Sequence, residues 1–558
     1  MTTPAFPDDG IKYVKPGQEG ENDYALYIEV FNGEGKFLGE VGDYMDASLS
    51  WNSEADNAES SSFTIPHPSL WSKTMMRANH QVTLIRCILT RAGKQIKKWT
   101  GRVERAVRST EGGESHIKVE LISDKAWLAY ILAWPSPFAD INTQLPKHDT
   151  QTGPAIHVMK KYLIKNILRF NTDNMPKERG KYRKYIFYNP LADRMHTYQD
   201  DSSKFREAMG HMDPFIVVPT AYGADTSPTV TLTARMDKVS EIWQEACKDF
   251  NLLPVVETYY PGRDPLPAGV PATGRDTPSI IVDIIDKDKA RSARKPMTKW
   301  ERYFDVASSF LQSVVGVFDT TPQLKKQNET SLTEFFGNAT EDKWVIFRES
   351  SKHWSSTEVS VYAPTTIQTI AGGSSMEFIN DAVHSIVMAL INFILRWFGL
   401  DVVLDAILGD KLKDVFFAFQ RVSDRSMQSE LGKFAFYETY TGTGTTALSA
   451  DAAQGIRSAR WAALGYRTAT FSGDAAAFPP FRPFEDFDLL DPVGWEDEEE
   501  GQIFTERAKE ISVSVDRDGG VQFELRLGES ERPEEPWAIQ KRQNDRFKQA
   551  INAAFDKD

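Results

Sequence analysis

One pattern occurs twice, near opposite ends of the chain, and it constrains the fold more than any other feature. Residues 94–124 hold Lys94-Gln95-Ile96, then Trp99-Thr100-Gly101-Arg102, a glycine turn and Val119-Glu120-Leu121. Residues 501–529 hold Gly501-Gln502-Ile503, then Phe504-Thr505-Glu506-Arg507, a Gly519-Gly520 turn and Phe523-Glu524-Leu525. The spacing from the aromatic-Thr-x-Arg run to Glu-Leu differs by one residue, which a turn absorbs. Two hairpins with similar turns also share letters by chance, so the echo stands as an expectation. It predicts two related β domains with inserted material between them.

The surrounding patterns agree with strands. Leu26, Ile28 and Val30 alternate with Tyr27, Glu29 and Phe31. Asn32-Gly33 then offers the positive φ angles of a tight hairpin. Further strands are expected over 81–89 and 116–122, with glycine turns at Arg91-Ala92-Gly93-Lys94 and Glu111-Gly112-Gly113. Short strands at this spacing suggest a small sandwich or barrel over residues 23–124. Residues 431–535 return to β character, with strands at 511–515 and 521–527.

Residues 125–300 mix helix and strand. Helices are expected at 125–134, 156–170 and 237–250, the last with Asp237 as N-cap. Strands are expected at 215–219, 229–233, 252–259 and 279–286. Residues 301–430 read as an insertion with apolar helices broken at Gly399 and Gly409. Residues 1–22 read as a polar arm without a secretory signal. Residues 536–558 read as a charged exposed helix. The fold class is therefore α+β and multidomain: two related barrel or sandwich domains, with an α/β domain and an apolar helical insertion between them. A length of 558 residues leaves room for it.

Charge and chemistry narrow the function. The net charge of −14 argues against a general nucleic-acid binder. Cys87 and Cys247 are isolated and give neither zinc spacing nor a disulfide framework. The chain shows no His-Glu-x-x-His, no Gly-x-Ser-x-Gly and no phosphate-loop pattern. No catalytic residue, cofactor or metal ligand set is expected. His148 with His157, and Cys247 on its helix, read as ordinary surface and core. The acidic tract 485–500 reads as a solvated loop; a cation site there, or a role facing a channel, is the sharper alternative.

Two segments are candidate contact surfaces. The first is a basic strip at 86–108, holding Arg91, Lys94, Lys97, Lys98 and Arg102 around Trp99. Its echo adds Phe504 and Arg507. In an acidic protein such a strip is expected to meet an acidic surface on another subunit. Plain surface and nucleic-acid contact are the alternatives. The second is the apolar helix carrying Ile386, Leu390, Phe393, Ile394 and Trp397. Its charge-free stretch, Ala382–Leu395, has 14 residues. That is short of the roughly 20 that span a bilayer. It reads as core, as packing at an oligomer axis, or as membrane contact.

Residues 415–470 carry a family resemblance. They read Val415-Phe416-Phe417-Ala418-Phe419-Gln420, Gly432-Lys433-Phe434-Ala435-Phe436-Tyr437-Glu438 and Thr441-Gly442-Thr443-Gly444-Thr445-Thr446. Ser458-Ala459-Arg460-Trp461 and Gly465-Tyr466-Arg467 follow. Earlier runs fit in order: Gly39–Tyr44, Phe63–Pro66, Ser123–Leu128 with Trp134-Pro135, and Val282–Asp286. Together they resemble minor tail proteins of siphophages infecting actinobacteria, which are similar to the baseplate-hub family.

The resemblance implies two tube-type β domains per chain and a homotrimer at the virion tail tip. Six such domains would match a six-fold tail to a three-fold tip. Implied partners are the distal tail protein, the tape-measure protein and other minor tail or fibre proteins. Phage DNA would pass transiently, and host-envelope contact is possible in such an assembly. The rival functions are a tail-associated cell-wall hydrolase and a membrane-active tip acting through 376–419.

Overall fold

The computed structural model describes residues 24–145, 147–173, 208, 210–270, 276–288, 345–348, 356–372, 419–423, 428–429, 431–441, 463, 465–474, 481–497, 502–516 and 520–527. The expected arm 1–22, the apolar helix 376–418 and the tail 536–558 lie outside the described residues.

The first β region contains β1 (Tyr24–Asn32), β2 (Phe37–Glu40), β3 (Asp46–Asn52), β4 (Ser60–His67), β5 (Thr83–Arg91), β6 (Lys94–Glu111) and β7 (Glu114–Ser123). A short helix α1 (Ser72–Met75) sits between β4 and β5. Alternation drives these strands: Ile117, Val119 and Leu121 are buried, and their neighbours point out. The β5–β6 and β6–β7 turns use two residues with positive φ, Ala92-Gly93 and Gly112-Gly113, as right-twisted hairpins require. The first turn differs from expectation. Positive φ falls on Gly35, not on Asn32-Gly33. The Asn32 side-chain oxygen instead accepts from the Glu34 and Lys36 amides at 3.0 and 2.8 Å, closing the turn locally.

The middle of the chain adds β8 (Leu132–Ala133), β9 (Asp149–Pro154), α2 (Ala155–Asn171), β10 (Phe215–Val217), β11 (Thr229–Ala234), β12 (Asp237–Lys238), α3 (Val239–Phe250), β13 (Leu252–Tyr259) and β14 (Ser279–Asp286). Residues Asp124–Tyr130 form a 3-10 helix where a longer helix to 134 was expected. Asp237 does not cap α3. It lies in β12, and its carboxylate accepts from the Arg235 amide at 2.6 Å. Asn251 ends α3 in the left-handed region. The apolar stripes of α2 and α3 meet in one core with β10, β11, β13 and β14, around Met159, Leu163, Trp243 and Val282.

The last part holds β15 (Ile346–Arg348), β16 (Ser356–Tyr362), β17 (Thr366–Gly372), β18 (Phe419–Ser423), β19 (Phe436–Thr441), β20 (Tyr466–Asp474), β21 (Pro492–Asp497), β22 (Gln502–Asp516) and β23 (Gly520–Leu527). β15 and β16 come from the segment read as a helical insertion, yet they join the main sheet. Strand pairing is non-local, so a strand's partner cannot be read from its own neighbourhood. β17, β18 and β19 form a separate three-stranded sheet between β16 and β20.

The main sheet has thirteen strands and runs β16-β20-β23-β22-β3-β4-β7-β6-β5-β1-β2, with β21 and β15 branching from β22. Strands from both ends of the chain share it. The link is β22 against β3, antiparallel from Glu510↔Asn52 to Asp516↔Asp46. The path does not close on itself, so the expected barrel is not formed among the described residues. The outer half of β22 spends its free edge on β3 instead. One core follows, in which Leu49, Trp51 and Phe63 pack with Phe471, Val513, Phe523 and Leu525. Burying each large apolar side chain contributes roughly 1.5–3 kcal/mol.

Within this sheet the same strand order occurs twice. β3-β4-β7-β6-β5 corresponds to β16-β20-β23-β22-β21; the match ends there, because β15 pairs β21 parallel whereas β1 pairs β5 antiparallel. The two long strands carry the same bulge. β6 passes from Val103↔Leu121 to Arg105↔Glu120, and β22 from Ala508↔Leu527 to Glu510↔Arg526. Beyond the bulge each hairpin has seven paired positions, ending at Glu111↔Glu114 and Asp516↔Gly520. Ahead of the bulge, Arg102 faces Leu84 on β5 and Arg507 faces Pro492 on β21. The outgoing half of the sequence echo is therefore in structural register. On the return strand Glu120-Leu121 corresponds to Arg526-Leu527, two residues beyond the Glu524-Leu525 of the echo. A two-residue slip keeps the same face, so the alternation hid it.

The α/β part is fixed to the sheet by buried ions. Arg86, 2% exposed, donates to Glu29 at 2.6 Å and to Asp264 at 2.7 Å. Arg263 also pairs with Glu29. Burial acts to lower the Arg86 pKa, but the Asp264 and Glu29 carboxylates outweigh it and hold it above the usual value. Thr258 donates from its amide at 3.0 Å, and also from its hydroxyl, to buried Asp124. Tyr260 stacks on Phe31 at 3.9 Å. Replacing Arg86 by Met strands two buried carboxylates and is expected to cost about 3–5 kcal/mol in urea unfolding. A loss below about 1 kcal/mol, the range of surface pairs, would show that this network does not hold the parts together.

Candidate functional site

The basic strip is carried by β5 and β6, and three of its charges, Arg91, Lys97 and Lys98, meet acidic residues of the same chain. Arg91, at the end of β5, donates its Nε to Glu485 at 2.6 Å and its Nη2 to the other oxygen of that carboxylate. Lys97 places Nζ 2.9 Å from both Asp488 oxygens and 4.8 Å from the centre of the Phe484 ring. Lys98 reaches Glu257 at 3.1 Å, Asp264 at 3.4 Å and the Thr258 carbonyl at 3.2 Å. Farther along, Lys287 reaches Asp491 at 3.1 Å.

The remaining candidates separate. Arg102 lies 4.6 Å over the Trp127 ring. Trp99 is buried at 2% exposure, and its indole N–H has no hydrogen-bond partner among the described residues. Lys94 is exposed at the hairpin tip. Arg507 donates to the Leu490 carbonyl at 2.6 Å, which fixes the loop ahead of β21. Phe504 takes its backbone place opposite Trp495. Ile386, Leu390, Phe393, Ile394 and Trp397 lie outside the described residues.

The strip was expected to meet an acidic surface on another subunit. For Arg91, Lys97 and Lys98 the acidic surface is the chain's own. The acidic tract was expected to be a solvated loop, but Glu485, Asp488 and Asp491 within it are ion-paired. Sequence reading found both patches and lacked the fold that brings them together. Their opposite charge was the available signal. It missed Glu29, Asp124 and Asp264, single acids in strands and loops that no spacing marks.

The titratable groups suit clamping. Burial acts to raise the Asp488 pKa, but the Lys97 charge and hydrogen bond outweigh it and hold the carboxyl below its usual value. Burial pushes the Cys87 and Cys247 thiols up, away from nucleophilic use. His157 is buried in α2, with its ring Nδ1 3.0 Å from the Thr220 carbonyl, and Asp149 pairs with Lys165. No group of acids, cysteines and histidines suited to a metal ion occurs among the described residues. No helix there is long and apolar enough to cross a membrane.

A further surface escaped the sequence reading. Around β19, Phe434, Phe436 and Tyr437 are 88%, 76% and 72% exposed.

The Lys97–Asp488 pair has a signed pH dependence. A carboxyl depressed in the fold stabilises it above the unfolded pKa of about 3.9, and that contribution is lost as pH falls through the lower folded value. Lys97→Met is expected to cost about 1 kcal/mol in urea unfolding at neutral pH. The gap to the parent protein should narrow as pH falls below about 3.9. A gap that stays constant to lower pH would contradict the assigned pairing.

Comparison with known proteins gives several matches. The chain is 24% identical over 519 residues to "Minor tail protein Gp28" of Mycobacterium phage L5, covering 82% of this chain and 83% of that one. A second "Minor tail protein Gp28", from Mycobacterium phage D29, is 24% identical over 518 residues with the same coverage. Among solved structures, a tail protein from Neisseria meningitidis MC58 aligns with a TM-score of 0.37 at 11% identity, covering 90% of this chain and 97% of that one. The 43 kDa tail protein of prophage MuSo2 from Shewanella oneidensis aligns at 0.38 and 10% identity, covering 92% and 98%. The family described as "Siphovirus ReqiPepy6 Gp37-like protein" matches residues 27–529, and the chain belongs to it.

Proposed function

We propose that this protein is the hub of a siphophage tail tip, a trimeric ring that adapts a six-fold tail to a three-fold tip and gates DNA ejection. As a member of its family it is a structural component of the virion tail. The observation that carries the finer reading is the doubled strand order inside one continuous sheet. A chain holding two like units in edge-to-edge contact already contains one step of a ring. Three chains would supply six units, and closed cyclic symmetry is the usual way to repeat such a step.

In this reading the two units are tube-type domains of common origin. The 363–465 segment is an insertion in the second unit, between the counterparts of β3 and β4. The distal tail protein would lie on one face of the ring, and the tape-measure protein would end at it. Lys94, exposed on the hairpin tip, and the aromatic group at Phe434, Phe436 and Tyr437 support contacts with further minor tail or fibre proteins. The mechanism is mechanical: interfaces held by packing and ion pairs rearrange on receptor contact and open the channel. The net charge of −14 favours passage of DNA without capture.

Mass photometry of the concentrated full-length chain tests the ring. The expected particle has three times the chain mass of 63.0 kDa. A particle that stays at one chain mass at every concentration would count against the hub.

A further inference from the structure

The joint inside the chain leaves two matching edges unused. β22 beyond its bulge is flanked by β23 on one side and by β3 on the other. Its counterpart, β6 beyond Val103, is flanked by β7, while its pairing with β5 on the other side stops at Arg102. Residues 106–110 therefore present an open edge among the described residues. β3 is flanked by β4 and β22. Among the described residues its counterpart β16 is flanked by β20 alone. Residues 357–361 present the second open edge.

The correspondence between β3 and β16 is fixed by register. Ala47 faces Phe63, which faces Val119. Thr357 faces Phe471, which faces Leu525. Val119 and Leu525 are equivalent by the shared bulge, and Phe63 and Phe471 are both fully buried. Leu49 then corresponds to Val359, and Trp51 to Val361. The covered position differs sharply from the open one: Trp51 is 7% exposed and Val361 is 60% exposed.

We infer that β6 of one copy of this chain pairs with β16 of the next copy, antiparallel, in the register that joins β22 to β3 within a chain. Transferring Ile511↔Trp51 through Val515↔Ala47 gives the pairs Ala106↔Val361, Val107↔Ser360, Arg108↔Val359, Ser109↔Glu358 and Thr110↔Thr357. The partner is a second copy because the joint already present in the chain is the template, and both of its halves recur with no strand against them among the described residues. An open strand edge is a ready template for another strand. The contact is head-to-tail, so each copy offers one edge of each kind and the chain of contacts closes only as a ring. The inference rests on the ring reading above and names the surface that builds it.

A cysteine pair tests the register. Cα atoms of directly opposed antiparallel residues lie about 4.5–5.5 Å apart, within disulfide reach of roughly 4.4–6.8 Å. The double variant Ser109→Cys/Glu358→Cys is oxidised in the full-length chain and run on a non-reducing denaturing gel, with mass photometry on the same sample. Buried Cys87 and Cys247 do not compete. The expected result is a shift from the single-chain band to bands of two and three linked chains. Ser109→Cys/Val359→Cys, which puts the thiols on opposite faces, should stay at one chain. A multimer by mass without the Ser109–Glu358 link, or with equal linking in the control, overturns the pairing and leaves the ring standing. A single-chain particle without any link overturns both.

Discussion

The edge contact between β22 and β3 is the interaction on which the rest of the structure depends. It joins residues more than 400 positions apart and turns two β regions into one sheet with one core. Its inward positions are apolar: Ile511, Val513 and Val515 beside Trp51, Leu49 and Ala47. Its outward positions are serines, Ser512 and Ser514 beside Ser50 and Ser48. Small polar side chains leave the outer face wet while the backbones pair. An additional hydrogen bond from the Ser53 amide to the Lys509 carbonyl, at 3.0 Å, carries the contact onto the bulged residue. The bulge is thus where β22 changes partners, with β21 before it and β3 after it.

Charge fastens what the sheet arranges. The Arg86 network ties β1 and β5 to the loop after β13, and the Lys97–Asp488 and Arg91–Glu485 pairs tie β5 and β6 to the loop before β21. These two sets differ in kind. The first is buried, so each charge needs its partner in place. The second is partly open to water, where an ion pair is weaker and can be exchanged. The α/β part thus has a fixed attachment, and the seam between the two β units an exchangeable one.

Much of this fold was legible in the sequence, and the failures have physical causes. Alternation located β1, β7, β13, β14 and β23, because a strand half-buried in a sheet must alternate. Glycine-bearing turns located the hairpin ends at Ala92-Gly93 and Gly112-Gly113. The echo located the two equivalent hairpins, although only its outgoing half was in register. Non-local pairing was hidden: β15 and β16 are brief strands that gain their place from distant partners. The seam was half visible, since Lys97 and Asp488 were each marked as part of a charged patch but nothing local joined them. Single buried ions such as Glu29 and Asp264 left no mark, because an acid in a strand looks the same whether solvated or paired.

The repeated strand order and the joint that links the two copies are the basis of the proposed architecture, in which a chain supplies two units of a closed ring. The most direct measurement is a cryo-electron microscopy map of the intact tail tip. The account predicts a layer of six β units from three chains, with β22–β3 contacts inside chains alternating with contacts of the same register between them. A layer in which the two units of a chain occupy different rings, or in which neighbouring chains meet away from β6 and β16, would contradict it.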